Sequence, residues 1–180
     1  EYICMDPGYN AENLERIKYN AGLLGIPLNI FRSDVFEAAE MVNADSPCYM
    51  CARMRRGCLY ARAKELGCNK IALGHHRSDV IETTLMGMFY GGQVQGMMPR
   101  IKSSNFEGME LIRPMYCISE EDIEHWRDYN GLHIIACACS FTQRLADSGQ
   151  ARSVRAEMKE LVKEMKRRNP DVEKSLFRSI

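Results

Sequence analysis

Short apolar runs alternate along this chain with stretches in which apolar residues recur at helical spacing, and turn residues punctuate the boundaries. Tyr2 to Met5 reads as a strand ending at Asp6-Pro7-Gly8. Leu14, Ile17, Ala21 and Leu24 fall on one helical face, and Gly25 closes that helix. Pro27 to Phe31 is a second short strand, and Asp34 and Glu37 have the spacing of a capping pair. The stretch 43–47 reads as a loop that delivers Cys48. Ala52, Leu59, Ala63 and Leu66 then share a helical face, with Gly67 as the stop.

The second half repeats the rhythm. Lys70 to Gly74 has the composition of a buried strand. Asp79 and Glu82 are expected to cap a helix whose core stripe is Ile81, Leu85, Met88 and Phe89, ended by Gly91 and Gly92. Gln93 to Gly108 is a mostly polar excursion. Leu111 and Ile112 lead into Arg113-Pro114, and Ser119 caps an acidic-first helix carrying Ile123 and Trp126. Leu132 to Ala136 reads as a further strand and 144–151 as a loop. Val154, Met158, Leu161 and Met165 form a helical stripe stopped by Pro170, and a short helix follows. Strands alternating with helices predict an α/β fold, a doubly wound and mostly parallel sheet with helices on both faces. Ligands gather at the carboxyl ends of such strands, where Asp6, His75 and Cys137 are expected.

Composition narrows the function. The 180 residues are 46% apolar and 27% charged with zero formal net charge. One domain with a real core is expected, spanning 1–180. A neutral chain is no bulk polyanion binder, so any nucleic-acid contact falls to a local patch. No apolar run is long enough for a membrane span. Eight cysteines in a core-rich chain point to a reducing compartment, the cytoplasm, rather than a disulfide frame. The opening EYICMD reads as a strand already in progress, so the chain is expected to be part of a longer protein.

The densest chemistry lies in SPCYMCARMRRG. Cys48 and Cys51 have a spacing at which both thiolates reach one metal or cluster, with a thioredoxin-type redox pair as the rival reading. Arg53, Arg55 and Arg56 follow at once and are candidates for contact with a polyanion. Cys137 and Cys139 alternate near an expected strand end, where either can donate a further ligand. Three or four thiolates suit zinc as well as an iron–sulfur cluster, and both stay open here. In KIALGHHRSD, Gly74, His75 and His76 form a polar turn before a helix whose first amides can bind phosphate and whose Asp79 can hold magnesium; a plain helix cap is the rival. Lys163, Lys166, Arg167 and Arg168 read as a solvated face.

CYMCARMRRG, AKELGCNKIALGHHRSD, MGMFYGGQVQGMMP, ELIRPMY and IIACACSFT together resemble the tRNA 2-thiocytidine synthetase (TtcA-like) branch of the PP-loop ATP pyrophosphatases. The resemblance covers most of the chain from Tyr2 onward. It implies a Rossmann-like, adenine nucleotide alpha hydrolase-like fold and an ATP- and magnesium-dependent tRNA sulfurtransferase. Such an enzyme adenylates a base oxygen, a cytidine's in the type case. A [4Fe–4S] cluster on three cysteines carries the sulfur, with zinc as the alternative metal. Cys48 and Cys51 match the family's CxxC ligands, with Cys139, or alternatively Cys137, as the third. Gly74, His75, His76 and Asp79 match the nucleotide-side motif, with Asp79 in the catalytic role; Met5 and Asp6 lie where a strand approaches the adenine. The implied partners are tRNA, a sulfur donor such as a cysteine desulfurase, and a second subunit in a homodimer.

The chain departs from the family in three places. Ser78 stands where the nucleotide-side motif carries an acid. CxC replaces CxxC near the third ligand, and an ungapped match would put Ser140 there. The SGGxDS phosphate loop does not occur in these 180 residues. The first strand and this loop are expected upstream, and the 180 residues alone are expected not to adenylate a substrate. Two rival readings remain from this vantage: a PP-loop enzyme acting on a different base, and a non-catalytic zinc-stapled RNA-binding domain.

Overall fold

A computed structural model describes residues 1–35, 38, 47–135 and 154–180, with the backbone alone for 47–50. Its elements run β1 (Tyr2–Asp6), α1 (Ala11–Leu23), β2 (Leu28–Arg32), α2 (Pro47–Glu65), β3 (Lys70–Ala72), α3 (Arg77–Gly91), β4 (Arg100–Lys102), β5 (Glu110–Ile112), α4 (Glu120–Tyr129), α5 (Val154–Arg168) and α6 (Val172–Arg178). They group into two compact units. The first holds 1–71, 103–110 and the segment from 131; the second holds 72–102, 111–130 and the C-terminal helices.

In the first unit β1 and β2 pair in parallel, Tyr2 opposite Leu28 and Asp6 opposite Arg32. The crossover between them is α1, started by Asn10, whose side chain accepts from the Asn13 N–H at 2.8 Å. Gly25 makes the exit at φ +64°, a conformation that costs other residues strain. After β2 the Ala38 N–H reaches the Asp34 carbonyl at 3.0 Å, one helical turn where a cap at Asp34 is expected; Glu37 lies outside the described residues.

Helix α2 opens at Pro47, whose fixed φ suits a first helical position, so Cys48 sits inside the helix rather than on a loop. Among its described side chains Tyr60 and Ala63 are buried, with Tyr60 stacked on Phe106 at 5.0 Å; Ala52, expected on the core face, is exposed. The expected strand from Leu132 is absent over Leu132–Ile135, and Ala136 lies outside the described residues. The cause is visible at His133. Its backbone N–H donates to Asn20 Oδ1 at 3.0 Å and its carbonyl accepts from Asn20 Nδ2 at 2.7 Å. One side-chain amide on α1 thus fills the bonds a neighbouring strand would have made.

A three-stranded sheet in the order β3-β5-β4 belongs largely to the second unit. Strand β4 lies inside the polar excursion, with all three residues exposed. The core there forms around α3. Ile81 and Leu85 pack with Met158 and Val162 of α5, flanked by Met86, Leu161, Leu176 and Phe177. Met88 and Phe89, expected in the same stripe, are 47% and 60% exposed. The buried cluster is centred on the first half of α3, while in the last turn Tyr90 reaches Glu157 of α5 by an exposed hydrogen bond. Gly92 ends α3 in the left-handed conformation, and Ser119 caps α4 by accepting from the Asp122 N–H at 3.1 Å.

Candidate functional site

The polar turn of the second unit begins where β3 stops. The Leu73 N–H still reaches the Ile112 carbonyl at 3.0 Å, and from Gly74 the chain runs free of the ladder. Gly74 has no positive φ, and a Cβ placed on it would meet nothing within 4 Å. The chain's own packing therefore gives no reason for glycine there. His75 and His76 are both half-buried, three and four residues beyond the end of β3 rather than at its edge.

His76 is the N-cap of α3. Its N–H donates to Asp79 Oδ2 at 3.0 Å, its Nε2 lies 3.4 Å from the same oxygen, and its Nδ1 is buried without a hydrogen bond. The capping pair is thus His76 with Asp79, and Glu82 has another role. Asp79 Oδ1 accepts from Arg155 Nη1 at 2.7 Å, and the same nitrogen lies 3.3 Å from Glu82 Oε2. Arg155 Nη2 reaches Thr83 Oγ1 at 3.2 Å. Burial pushes the Glu82 carboxyl above its ordinary value; Arg155 and Lys159 pull it down, Asp79 and Glu120 push it up.

Sequence reading singles out neither Arg155 nor Glu82 as a member of this cluster. Arg155 is one residue into an ordinary amphipathic stripe, and its partners lie 76 and 73 positions away. No local pattern carries that signal.

Beside this cluster the second unit holds a cavity of about 200 Å³, lined among others by Ser78, Glu82, Glu120, Lys159, Lys163 and Lys166. Small-molecule pockets run from about 300 Å³ upward. Its lysines are drawn to carboxylates: Lys159 to Glu120 at 2.6 Å, Lys166 to Glu121 at 2.5 Å and to Glu173 at 3.3 Å. Small and acid-rich, it is a poor receptacle for a triphosphate.

The first unit carries the cysteine helix. Cys48 and Cys51 stand three positions apart in the opening turns of α2, hence on one helical face. A helix N-terminus favours the thiolate form that metals bind. Cys51 is half-buried. Arg53, Arg55 and Arg56 are exposed, and none pairs with a described carboxylate. Arg62, a turn or more further on, is instead engaged, with Glu65 at 3.0 Å and 6.0 Å above the Phe31 ring.

Arg55 also acts on the end of β1. Burial and Asp6 push the Cys4 thiol up, and Arg55 opposes them. Met5 is buried in the core. Asp6 Oδ1 accepts from the Gly8 and Tyr9 N–H groups at 3.0 and 2.8 Å, so this carboxylate shapes the turn after β1. Cys137 and Cys139 lie outside the described residues. Among the described residues no three of His, Cys, Asp and Glu converge as a metal site, and no helix is long and apolar enough to cross a membrane.

Comparison with known proteins bears on the family and the fold. Residues 10–138 match the model of the PP-loop domain. The chain is 36% identical over 159 residues to the tRNA-cytidine(32) 2-sulfurtransferase of Burkholderia lata, and 37% identical over 159 residues to that of Paraburkholderia phytofirmans. These matches take in 87% of this chain but 46% and 45% of the relatives, so the chain spans about half their length. The solved U34-tRNA thiolase NcsA from Methanococcus maripaludis, with its [4Fe-4S] cluster, has the same fold. It aligns at a TM-score of 0.74 and 20% identity, over 98% of this chain and 58% of that one.

Proposed function

We propose that this chain, which belongs to the PP-loop domain family and has its Rossmann-like α/β fold, serves an ATP-dependent tRNA sulfurtransferase that thiolates a tRNA cytidine. One observation carries the reading. Two cysteines stand three positions apart at the start of a helix, and the next turn presents exposed arginines that pair with no carboxylate among the described residues. A thiolate pair beside unneutralised cations suits sulfur chemistry on a polyanion. The relatives' name, tRNA-cytidine(32) 2-sulfurtransferase, supports the choice of base.

Such chemistry uses ATP with magnesium to turn a base oxygen into a leaving group, and a thiolate-bound [4Fe–4S] cluster to hold the incoming sulfur. The donor set fits two cluster ligands on α2, Cys48 and Cys51. The third is assigned to Cys139, with Cys137 as the alternative. On the nucleotide side, the open space at Gly74 and the buried, unbonded Nδ1 of His76 support a ligand at this turn. His75 belongs to the same turn. Asp79, held by the His76 N–H and by Arg155, would present its carboxylate to magnesium there. Met5 and Asp6 act through the backbone at the adenine, since their side chains are engaged in core and turn. Arg53, Arg55 and Arg56 contact tRNA. Cytoplasmic location, a cysteine desulfurase as sulfur donor, a homodimer and a single PP-loop domain complete the proposal.

Anaerobic purification followed by iron, sulfide and zinc analysis tests it. About four irons and four sulfides, with broad absorption near 400 nm, is the expected result. Stoichiometric zinc persisting after cluster reconstitution would sink the cluster and favour a zinc-stapled RNA-binding role. Without an SGGxDS loop, the 180 residues alone are expected to release no pyrophosphate from ATP; release would overturn that part.

A further inference from the structure

We propose that Arg155 is a positioning residue, whose guanidinium fork on α5 fixes the Asp79 carboxylate at the start of α3 in the orientation a nucleotide meets. The inference rests on reading the 74–79 turn as the nucleotide side. Each Asp79 oxygen has a separate anchor. Oδ2 is held within the turn itself, by the His76 N–H at 3.0 Å. Oδ1 is held from outside, by Arg155 Nη1 at 2.7 Å. The cap alone leaves the carboxylate free to swing about the single bond that carries it. The second anchor removes that freedom.

The fork is itself oriented. Its Nη1 also faces Glu82 at 3.3 Å and its Nη2 meets Thr83 Oγ1 at 3.2 Å. Contacts through two nitrogens of a planar group set its plane, which a lysine ammonium cannot imitate. The exposure is lopsided. The Arg155 side chain is 43% exposed, whereas Asp79 and Glu82 are 19% and 9% exposed. A bridge serving stability alone gains little from such a partly wet member. As a device for aiming a carboxylate, it needs only the fork.

Glu82 reports the clamp. The charges that face it are Arg155 and Lys159 from α5, Glu120 from α4 and Asp79 from its own helix. Removing Arg155 leaves Lys159 as the one cation in that set. The Glu82 carboxyl must then hold its proton to higher pH.

The test compares wild type with Arg155→Met and Arg155→Lys in three measurements. These are ¹³C NMR titration of the Glu82 carboxyl, calorimetric titration with MgATP, and thermal melting. R155M is expected to move the Glu82 titration to higher pH and to weaken MgATP binding at least tenfold. R155K is expected to return the titration close to wild type while restoring little of the affinity, because it supplies the charge without the fork. Full recovery of affinity in R155K, or wild-type affinity in R155M, would overturn the positioning role. So would an affinity loss that merely follows the loss of melting temperature. The calorimetry uses the protein with its phosphate loop; if that wild-type protein binds no MgATP, the nucleotide reading itself falls. The Glu82 titration needs no nucleotide and still decides whether Arg155 engages that acid: an unchanged curve in R155M would overturn the clamp as well.

Discussion

Helices α2 and α3 both begin at the chain's densest chemistry, and they treat charge in opposite ways. At the start of α3, His76, Asp79, Glu82 and Arg155 are tied to one another. At the start of α2, Arg53, Arg55 and Arg56 stand in solvent with no described carboxylate as partner. Neutralised charge costs less to bury and fixes geometry; unneutralised charge is left for a partner. On the proposed function, the start of α3 would be an internally positioned site and the start of α2 a contact surface. Arg62 marks the limit on α2, where the cations return to internal partners.

The largest test of this contrast is at the cysteines. Cys51→Ser is expected to abolish most bound iron and sulfide in anaerobically prepared protein, with little change in far-ultraviolet dichroism. Undiminished iron would remove α2 from the metal chemistry. Next comes the core that supports α3. Ile81, at 1% exposure, should lose about 3 kcal/mol on truncation to Ala in chemical denaturation, whereas Phe89→Ala on the same helix should stay within about 0.5 kcal/mol. Equal losses would mean that the exposed last turn of α3 is covered in solution.

The arginines of α2 are expected to behave unlike Arg155. Alanine at 53, 55 or 56 should lower tRNA affinity and reduce the slope of log affinity against log salt by about one for each lost phosphate contact, at unchanged melting temperature. A change in stability without a change in salt slope would erase the distinction between the two helix ends. Removing the Ser119 cap, by Ser119→Ala, should cost about 1 kcal/mol and leave tRNA binding untouched.

The smallest effect is a slope with pH. The folded-state carboxyl of Glu82 lies above its unfolded value, chiefly through burial. Its contribution to stability is fully present below the unfolded pKa and is lost as pH rises through the folded one. Glu82→Gln should therefore flatten that part of the stability profile above the ordinary glutamate range. An identical slope in the variant would place the titration elsewhere.

Local signals were legible where one residue acts on its own backbone. Asn10 aside, whose cap goes unremarked in the sequence reading, Ser119, Gly25 and Gly92 mark their helix ends, and Cys48, Cys51 and the Gly74–Asp79 turn stand out by spacing. Strand β4 was not legible, because Arg100, Ile101 and Lys102 are all exposed and show no buried face. The run at Leu132 looked like a strand because apolar content does not say who supplies the hydrogen bonds; Asn20 does.

By itself the sequence determined the alternating elements, the family motifs and the residue types available for chemistry, because periodicity, caps and spacing act within a few residues of one another. Only the tertiary structure decided what those residues do to each other. It set which positions of the α3 stripe are buried, since that depends on which side chains of other elements pack against each of them. It also brought Arg155 onto Asp79 and Glu82, because an ion pair is made by distance in space and leaves no period in the chain.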